Sequence, residues 1–487
     1  CGRRIFGRSG VIFRRKAAAV MSSMAAGGQA CQRTGGNALD ELAGFRAGWY
    51  RCLWQRPDAL FETTDAVLTA GPVPSLPYLS LEPVMRRGHG MVYQGLAEGK
   101  IDEDAVRDLL VACRPRSWPA VFAIDASTYP RPEAEASPER EFHHHSCAGA
   151  HGKDGTVIPG WAFQWLSQLS FAGGSWTAPQ DQVRAGAGAD ATVQAAAQIL
   201  AHAGRLRADG ERRIPLYVHD AGYDEAALTW DLRDHLDRVQ VLVRVRNDRV
   251  LYRDPPPRQP GRAGRPRKHG NGRDRFECKN PATWGTPDRE LSLHDERYGA
   301  VNVKSWSGLH PKLQCRGRFE GMDKPPLIRC HLIRVTVEQL PGGRKVPGPL
   351  WLWWAGPGTP DLDLCFRAYL HRFDIEHTYR FAKHGLGWAG AALREPGQVS
   401  RWTWLIIAAI TQLRLARAIA EDHRLPWERP RKPGRLTPGR VRRDFARLLT
   451  LTGTPASPPK PSKAGPGRPK GRTSTPAPRH PVLKKAA

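Results

Sequence analysis

YLHRFDIEHTYRFAK, residues 369–383, is the stretch whose reading decides the rest. It holds no proline or glycine, so it predicts a helix. Tyr369, Arg372, Glu376 and Lys383 stand at offsets 0, 3, 7 and 14. At about 100° per residue the four fall within a sector of roughly 60° on one face. A carboxylate, two cations and a phenol make an odd face to bury and a mixed one to leave in plain solvent. The combination suits a phosphodiester site, where a carboxylate holds a metal and cations hold phosphate oxygens. The plainer alternative is an amphipathic surface helix with Arg372 and Glu376 paired at i, i+4.

Upstream, two short apolar runs end on acids. Ala120-Val-Phe-Ala-Ile-Asp125 and Ile214-Pro-Leu-Tyr-Val-His-Asp220 read as buried strands that present Asp125 and Asp220 at the edge of a sheet. Around them, Trp161–Phe171 and Val239–Val245 read as strands, and 189–206 and 224–236 as helices. Strands alternating with helices, with acids at strand ends, predict an α/β layer. His143-His144-His145 cannot all face one way on a regular element, so a polar loop is expected there.

The chain has 487 residues and a net charge of +27. Such an excess points to polyanions, nucleic acid first. No long uncharged apolar segment competes for a membrane reading, since the run 404–410 is too short to span. Nine cysteines, none in a Cys-x2-Cys pair, argue against a zinc finger or disulfide framework and fit a reducing cytosol. No Walker-type word is present. The chain opens on Cys1, and residues before Met21 or Met24 read as upstream translated sequence, without the apolar region of a signal peptide.

The spacing Tyr-x2-Arg-x3-Glu-x6-Lys resembles the signature of a large group of bacterial insertion-sequence transposases of the DDE type. The resemblance spans about 118–390. It implies an α/β, RNase H-like catalytic core interrupted by a β-rich insertion, with a helical N-terminal domain and a disordered basic tail. The expected division is a disordered segment over 1–36 and a helical DNA-binding domain over 37–116. The core would follow over 117–245 and 357–425, with the basic insertion over 246–356. The C-terminal region and tail take 426–487. Asp125, Asp220 and Glu376 would be catalytic and would bind two Mg²⁺ ions, with Mn²⁺ as an alternative. Tyr369, Arg372 and Lys383 would contact DNA beside the scissile bond. Trp351, just before the Glu helix, would stack on a flipped base; a strand-core role is the competing reading. Gly264-Arg-Pro-Arg-Lys-His269 and Gly467-Arg-Pro-Lys470 resemble AT-hooks, placing Arg265, Arg267 and Arg468 in a minor groove; chance in an Arg/Pro/Gly-rich chain accounts for them equally. Structural support is likewise the alternative role for the N-terminal helices. The expected partners are terminal inverted repeats and target DNA, bound by a homodimer in a bacterial, nucleoid-associated, cytoplasmic setting. The rival functions are an inactive or domesticated transposase that only binds DNA and a stand-alone RNase H-like nuclease.

Overall fold

The apolar run at 120–125 does form a strand, but the strand does not stop at the acid. The structure is a computed structural model. It describes residues 37–73, 75–145, 156–172, 176–186, 188–255, 257, 268–270, 274–341, 346, 348–432, 434–461, 469–471, 473 and 475–483. The N-terminal part folds as α1 (Ala38–Arg51), β1 (Leu53–Gln55), α2 (Pro57–Thr69), α3 (Leu76–Leu79), α4 (His89–Glu98), β2 (Lys100–Ile101) and α5 (Glu103–Ala112). Asp102 caps α5, its side chain accepting the Ala105 N–H at 3.0 Å.

The sheet begins with β3 (Val121–Pro130), β4 (Glu141–His145), β5 (Thr156–Leu169) and β6 (Thr177–Arg184). It continues through α6 (Ala191–Ala208), β7 (Leu216–His219), α7 (Glu225–Asp231) and β8 (Gln240–Val245). β3 runs parallel to β7, and β7 parallel to β8, while β5 lies antiparallel between β3 and both β4 and β6. Asp125 is therefore mid-strand, not terminal. β7 pairs with β3 only from Val121 to Ala123, so Asp125 stands just past the end of its parallel neighbour. The three histidines are not a loop either. They lie in β4, whose pairing with residues 156–160 of β5 overrides their weak strand propensity.

The region 246–356 supplies β9 (Val250–Tyr252), β10 (Arg275–Glu277), β11 (Arg289–Asp295), β12 (Gly299–Leu309), β13 (Cys330–Val337) and β14 (Leu350–Ala355). β9 and β10 form a ribbon of their own. β14 pairs antiparallel with β8, and β13, β12 and β11 follow outward, so this segment extends the sheet to ten strands rather than forming a separate one.

The chain closes with α8 (Leu362–Arg372), α9 (Asp374–Arg380), α10 (Pro396–Ala416), α11 (Pro438–Arg443) and α12 (Phe445–Thr452). Strand alternation divides the core. Val121, Ala123, Val218, Leu242 and Leu352 meet Phe366 and Tyr369 of α8 on one face. Phe122, Tyr217, Val243 and Trp353 meet Ile199 of α6 and Leu228 of α7 on the other. α10 is apolar nearly all round and buried accordingly. It packs against α1, α2 and β6, so the N-terminal helices share a core with the sheet.

The tail was expected to lack structure. Its described part is instead laid on the body: the Leu483 N–H donates to Arg140 O at 2.7 Å, and the His480 N–H to Glu135 O at 2.8 Å. Residues 1–36 lie outside the described residues. No helix among the described residues is long and apolar enough to cross a membrane.

Candidate active site

Alternation places Asp125 on the sheet face covered by α8 and α9. Its Oδ1 accepts the Ala126 N–H at 2.8 Å. Asp220 follows β7 directly, and its Oδ1 accepts the Gly222 N–H at 2.8 Å. A Cβ on Gly222 would lie 3.0 Å from that oxygen, so the small residue lets the turn close on the carboxylate. Glu376 is on the outer side of α9, its side chain 52% exposed. The inner side of α9 is clamped to the sheet. The Tyr379 hydroxyl donates to the Asp125 carbonyl at 2.6 Å, and Thr378 shares a hydrogen bond with Thr177 of β6 at 2.8 Å. The Tyr379 ring stands edge-on to Trp165, the β5 partner of Asp125.

Arg372 lies between the acids. Its guanidinium bonds Asp125 Oδ2 at 3.2 Å and lies 3.5 Å from Glu376 Oε1, with the side chain only 5% exposed. Its Nε is buried without a hydrogen bond. Burial, reinforced by nearby Asp220 and Glu376, pushes the Asp125 carboxyl up to about 6, against the downward pull of Arg372. A carboxyl raised by burial and by like charges, with a cation seated on it, marks a place that wants more positive charge. His219, at the end of β7, is fully buried. Burial, with Arg372 adding to it, lowers it to about 3, so it brings no competing cation.

A family profile described as "DDE superfamily endonuclease" matches residues 49–312, more than half of the chain. The chain belongs to this family. The match includes Asp125 and Asp220 and ends before Glu376, so the third acid rests on the geometry above. No curated protein matches the chain. A cryo-EM structure of the piggyBac transposase synaptic complex with hairpin DNA is similar over 81% of this chain and 71% of that one, at 9% identity and a TM-score of 0.38.

The remaining residues of the helix face in this DDE-family chain are placed differently from the ideal single helix. The helix breaks at Phe373, where the Glu376 N–H reaches back only three residues, to Phe373 O. Residues 381–385 then form a π-helical turn. That wider turn moves Lys383 off the shared face. Its ammonium lies 5.9 Å from the Trp388 ring centroid, half-buried, and it makes no ion pair with the three acids. Gly387 ends the turn at φ 72°, where a Cβ would meet Val73 Cβ at 2.7 Å. Tyr369 is buried beside Arg372, whose guanidinium carbon is 5.8 Å from its ring centroid. Burial raises the Tyr369 phenol, opposed by Arg372 and Arg244.

Trp351 corrects the base-stacking expectation. It is 0% exposed, on the sheet face away from α8, ringed by Phe276, Trp284 and Trp306. A buried indole has no face to offer a base, so Trp351 is core. Arg265, Arg267 and Arg468 lie outside the described residues.

Arg244 was missed by the sequence reading. β8 reads Gln-Val-Leu-Val-Arg-Val, and alternation puts Arg244 beyond Leu242 on the α8 face, exposed and beside Tyr369. Among the described residues no carboxylate pairs with it. The interrupted alternation was its one signal: a charge where an apolar residue was due. Among the described residues, the one cluster of three potential ligands within 4.8 Å of one another is Glu421, His423 and Asp444. Asp444 there is already engaged by His423, by the Arg447 guanidinium and by the Glu421 N–H. Asp125, Asp220 and Glu376 do not all lie within that distance of one another.

Proposed function

We propose that the chain is a DDE transposase that cleaves the ends of an insertion sequence and transfers them to target DNA, by metal-dependent chemistry on an RNase H-like core. The observation that carries this reading is Arg372 paired with Asp125 and with Glu376, with Asp220 beside them just past the end of the adjacent parallel strand. The order β6-β5-β3-β7-β8, antiparallel up to β3 and parallel from β3 to β8, supports the RNase H-like assignment. The net charge of +27 supports a DNA substrate.

The donor set fits Mg²⁺ or Mn²⁺: three carboxylates, hard oxygen ligands, with the Arg372 guanidinium against two of them. Asp125, Asp220 and Glu376 would hold two ions. When bound, such ions supply an activated oxygen nucleophile and stabilise the leaving oxygen. The chain's own residues do the positioning. Arg372 exchanges its carboxylates for a phosphate oxygen, an equally charge-assisted bond. Arg244 holds the neighbouring phosphate, backed by the buried Tyr369 phenol, and the Tyr379 and Thr378 bonds keep Glu376 at a fixed distance from the sheet. The working form would be a homodimer on two terminal inverted repeats, in a bacterial, nucleoid-associated setting.

The test is a cleavage assay on a duplex carrying the DNA that flanks the gene. Site-specific nicking is expected with Mg²⁺ or Mn²⁺ and none with EDTA. Cleavage that persists in EDTA would contradict the metal role; a bound but uncut duplex would favour the decayed, DNA-binding alternative. Within this assay, Arg244→Ala is expected to slow cleavage roughly tenfold to a hundredfold, the worth of one charge-assisted hydrogen bond to phosphate. Its melting temperature should not move, because the side chain is exposed. Full activity of that variant would remove Arg244 from the site.

A further inference from the structure

The sequence Glu421-Asp-His-Arg-Leu-Pro-Trp-Glu-Arg-Pro-Arg-Lys-Pro-Gly-Arg435 joins α10 to α11, and it holds Trp427 in the open. The residue is 79% exposed, more than any other described large hydrophobic residue, whereas nine other tryptophans of the chain are fully buried. Trp54, 69% exposed, is the other described tryptophan that stands largely in solvent.

The turn beneath Trp427 is built rather than loose. The Glu428 N–H donates to Leu425 O at 2.9 Å, and the Leu425 N–H donates back to Glu428 Oε2 at 2.9 Å. Arg443 of α11 holds the other carboxylate oxygen of Glu428 at 3.0 Å. Arg440 of α11 and the Arg431 N–H both engage Asp422, each at 3.0 Å. Pro426 and Pro430 restrict the backbone on either side. An aromatic ring on a rigid turn loses little entropy on binding. α11 also joins this turn to the catalytic helix, since Arg442 donates to Gly385 O, the end of the π-helical turn behind Glu376, and to Val67 O at 3.0 Å.

The surroundings identify the ligand class. Arg429, Arg431, Lys432 and Arg435 are all exposed, and none has a carboxylate partner among the described residues. Leu425, 37% exposed, is the other exposed apolar side chain of the turn, too small an area for a protein interface. A lone ring among unpaired cations matches the way single-stranded nucleic acid is held, with cations along the backbone and an aromatic face under a base.

We propose that Trp427 stacks on an unstacked nucleobase of bound DNA, whose backbone follows Arg429, Arg431, Lys432 and Arg435. This inference rests on the DNA reading above. The test uses the full chain without divalent metal and two fluorescent probes: a fully paired duplex, and the same duplex with a short unpaired segment containing 2-aminopurine. Wild type should bind the unpaired probe more tightly and quench the 2-aminopurine. Trp427→Ala should lose roughly tenfold in affinity on that probe, lose the quench, and bind the paired duplex within about twofold of wild type. Trp427→Phe should restore most of both. Equal binding and quenching by wild type and Trp427→Ala would overturn the stacking role while leaving the DNA reading intact. An equal loss by Trp427→Ala on both probes would make the ring a general docking contact and also overturn it. Failure of wild type to bind either probe would overturn the DNA reading beneath.

Discussion

Glu376→Gln is expected to lower strand cleavage by roughly 10³-fold or more, about 4 kcal/mol of barrier, while leaving duplex binding within about threefold of wild type. The side chain is half exposed on the outer face of α9, so the amide fits where the acid was and stability should change little. The amide removes a negative charge from a set of three that would hold two divalent ions. The cations that would grip DNA, Arg372 and Arg244, are untouched. A second readout is independent of activity: the variant should bind Mn²⁺ more weakly by calorimetry, since a neutral amide is a poorer ligand for a hard cation. Cleavage at the wild-type rate would falsify the role given to Glu376. Unchanged Mn²⁺ binding by the variant would make Glu376 a bystander to the ions.

The sequence made the strands legible because their apolar runs are uninterrupted, and it made the acids legible because a charge closing such a run is costly to place at random. It did not show where β3 ends. Ser127 and Thr128 look like a turn, yet both pair with β5 through Pro130. It did not show the break at Phe373 or the π-helical turn at 381–385, since no proline or glycine interrupts residues 369–383. Both depend on what α9 is bonded to, namely Asp125 and Thr177, which lie far away in the chain. Ideal helical spacing therefore grouped Lys383 with Glu376 when the backbone separates them. For Trp351, alternation in β14 was readable, but not which face α8 would cover. The tail illustrates the same limit. Its composition is that of a disordered segment, while edge strand β4 offers unpaired backbone groups that composition cannot reveal.

The largest expected effect on stability comes from a residue that sequence reasoning never singled out. Arg46 of α1 is fully buried and bonds both oxygens of Asp65 in α2, at 2.6 and 2.9 Å. It also donates to Gln412 of α10 at 2.7 Å and to Gly453 O, after α12, at 3.0 Å. One guanidinium thus ties together four segments far apart in sequence. Arg46→Ala would strand the Asp65 carboxylate in an apolar layer, and removing one partner of a buried pair typically costs about 3–5 kcal/mol, a large part of the roughly 5–15 kcal/mol that holds a domain together. The pH dependence identifies the cause. Burial raises the Asp65 carboxyl even with Arg46 present. The folded chain thus binds that proton more tightly than the unfolded chain, and stability falls as pH rises between the two values. Without Arg46 the folded value rises further and the window extends upward, so the deficit measured by urea unfolding should be larger at pH 7 than at pH 5. Replacing both partners, Arg46→Met with Asp65→Leu, should recover most of the loss and flatten the pH dependence, because no buried charge remains. A deficit that ignored pH would indicate lost stacking of the guanidinium on Phe61, its carbon 4.9 Å from the ring centroid, instead of an unpaired acid. The folded fraction of Arg46→Ala should still cleave DNA at the wild-type rate per active molecule, since Arg46 bonds none of the three acids and acts only through the helical layer beneath β6.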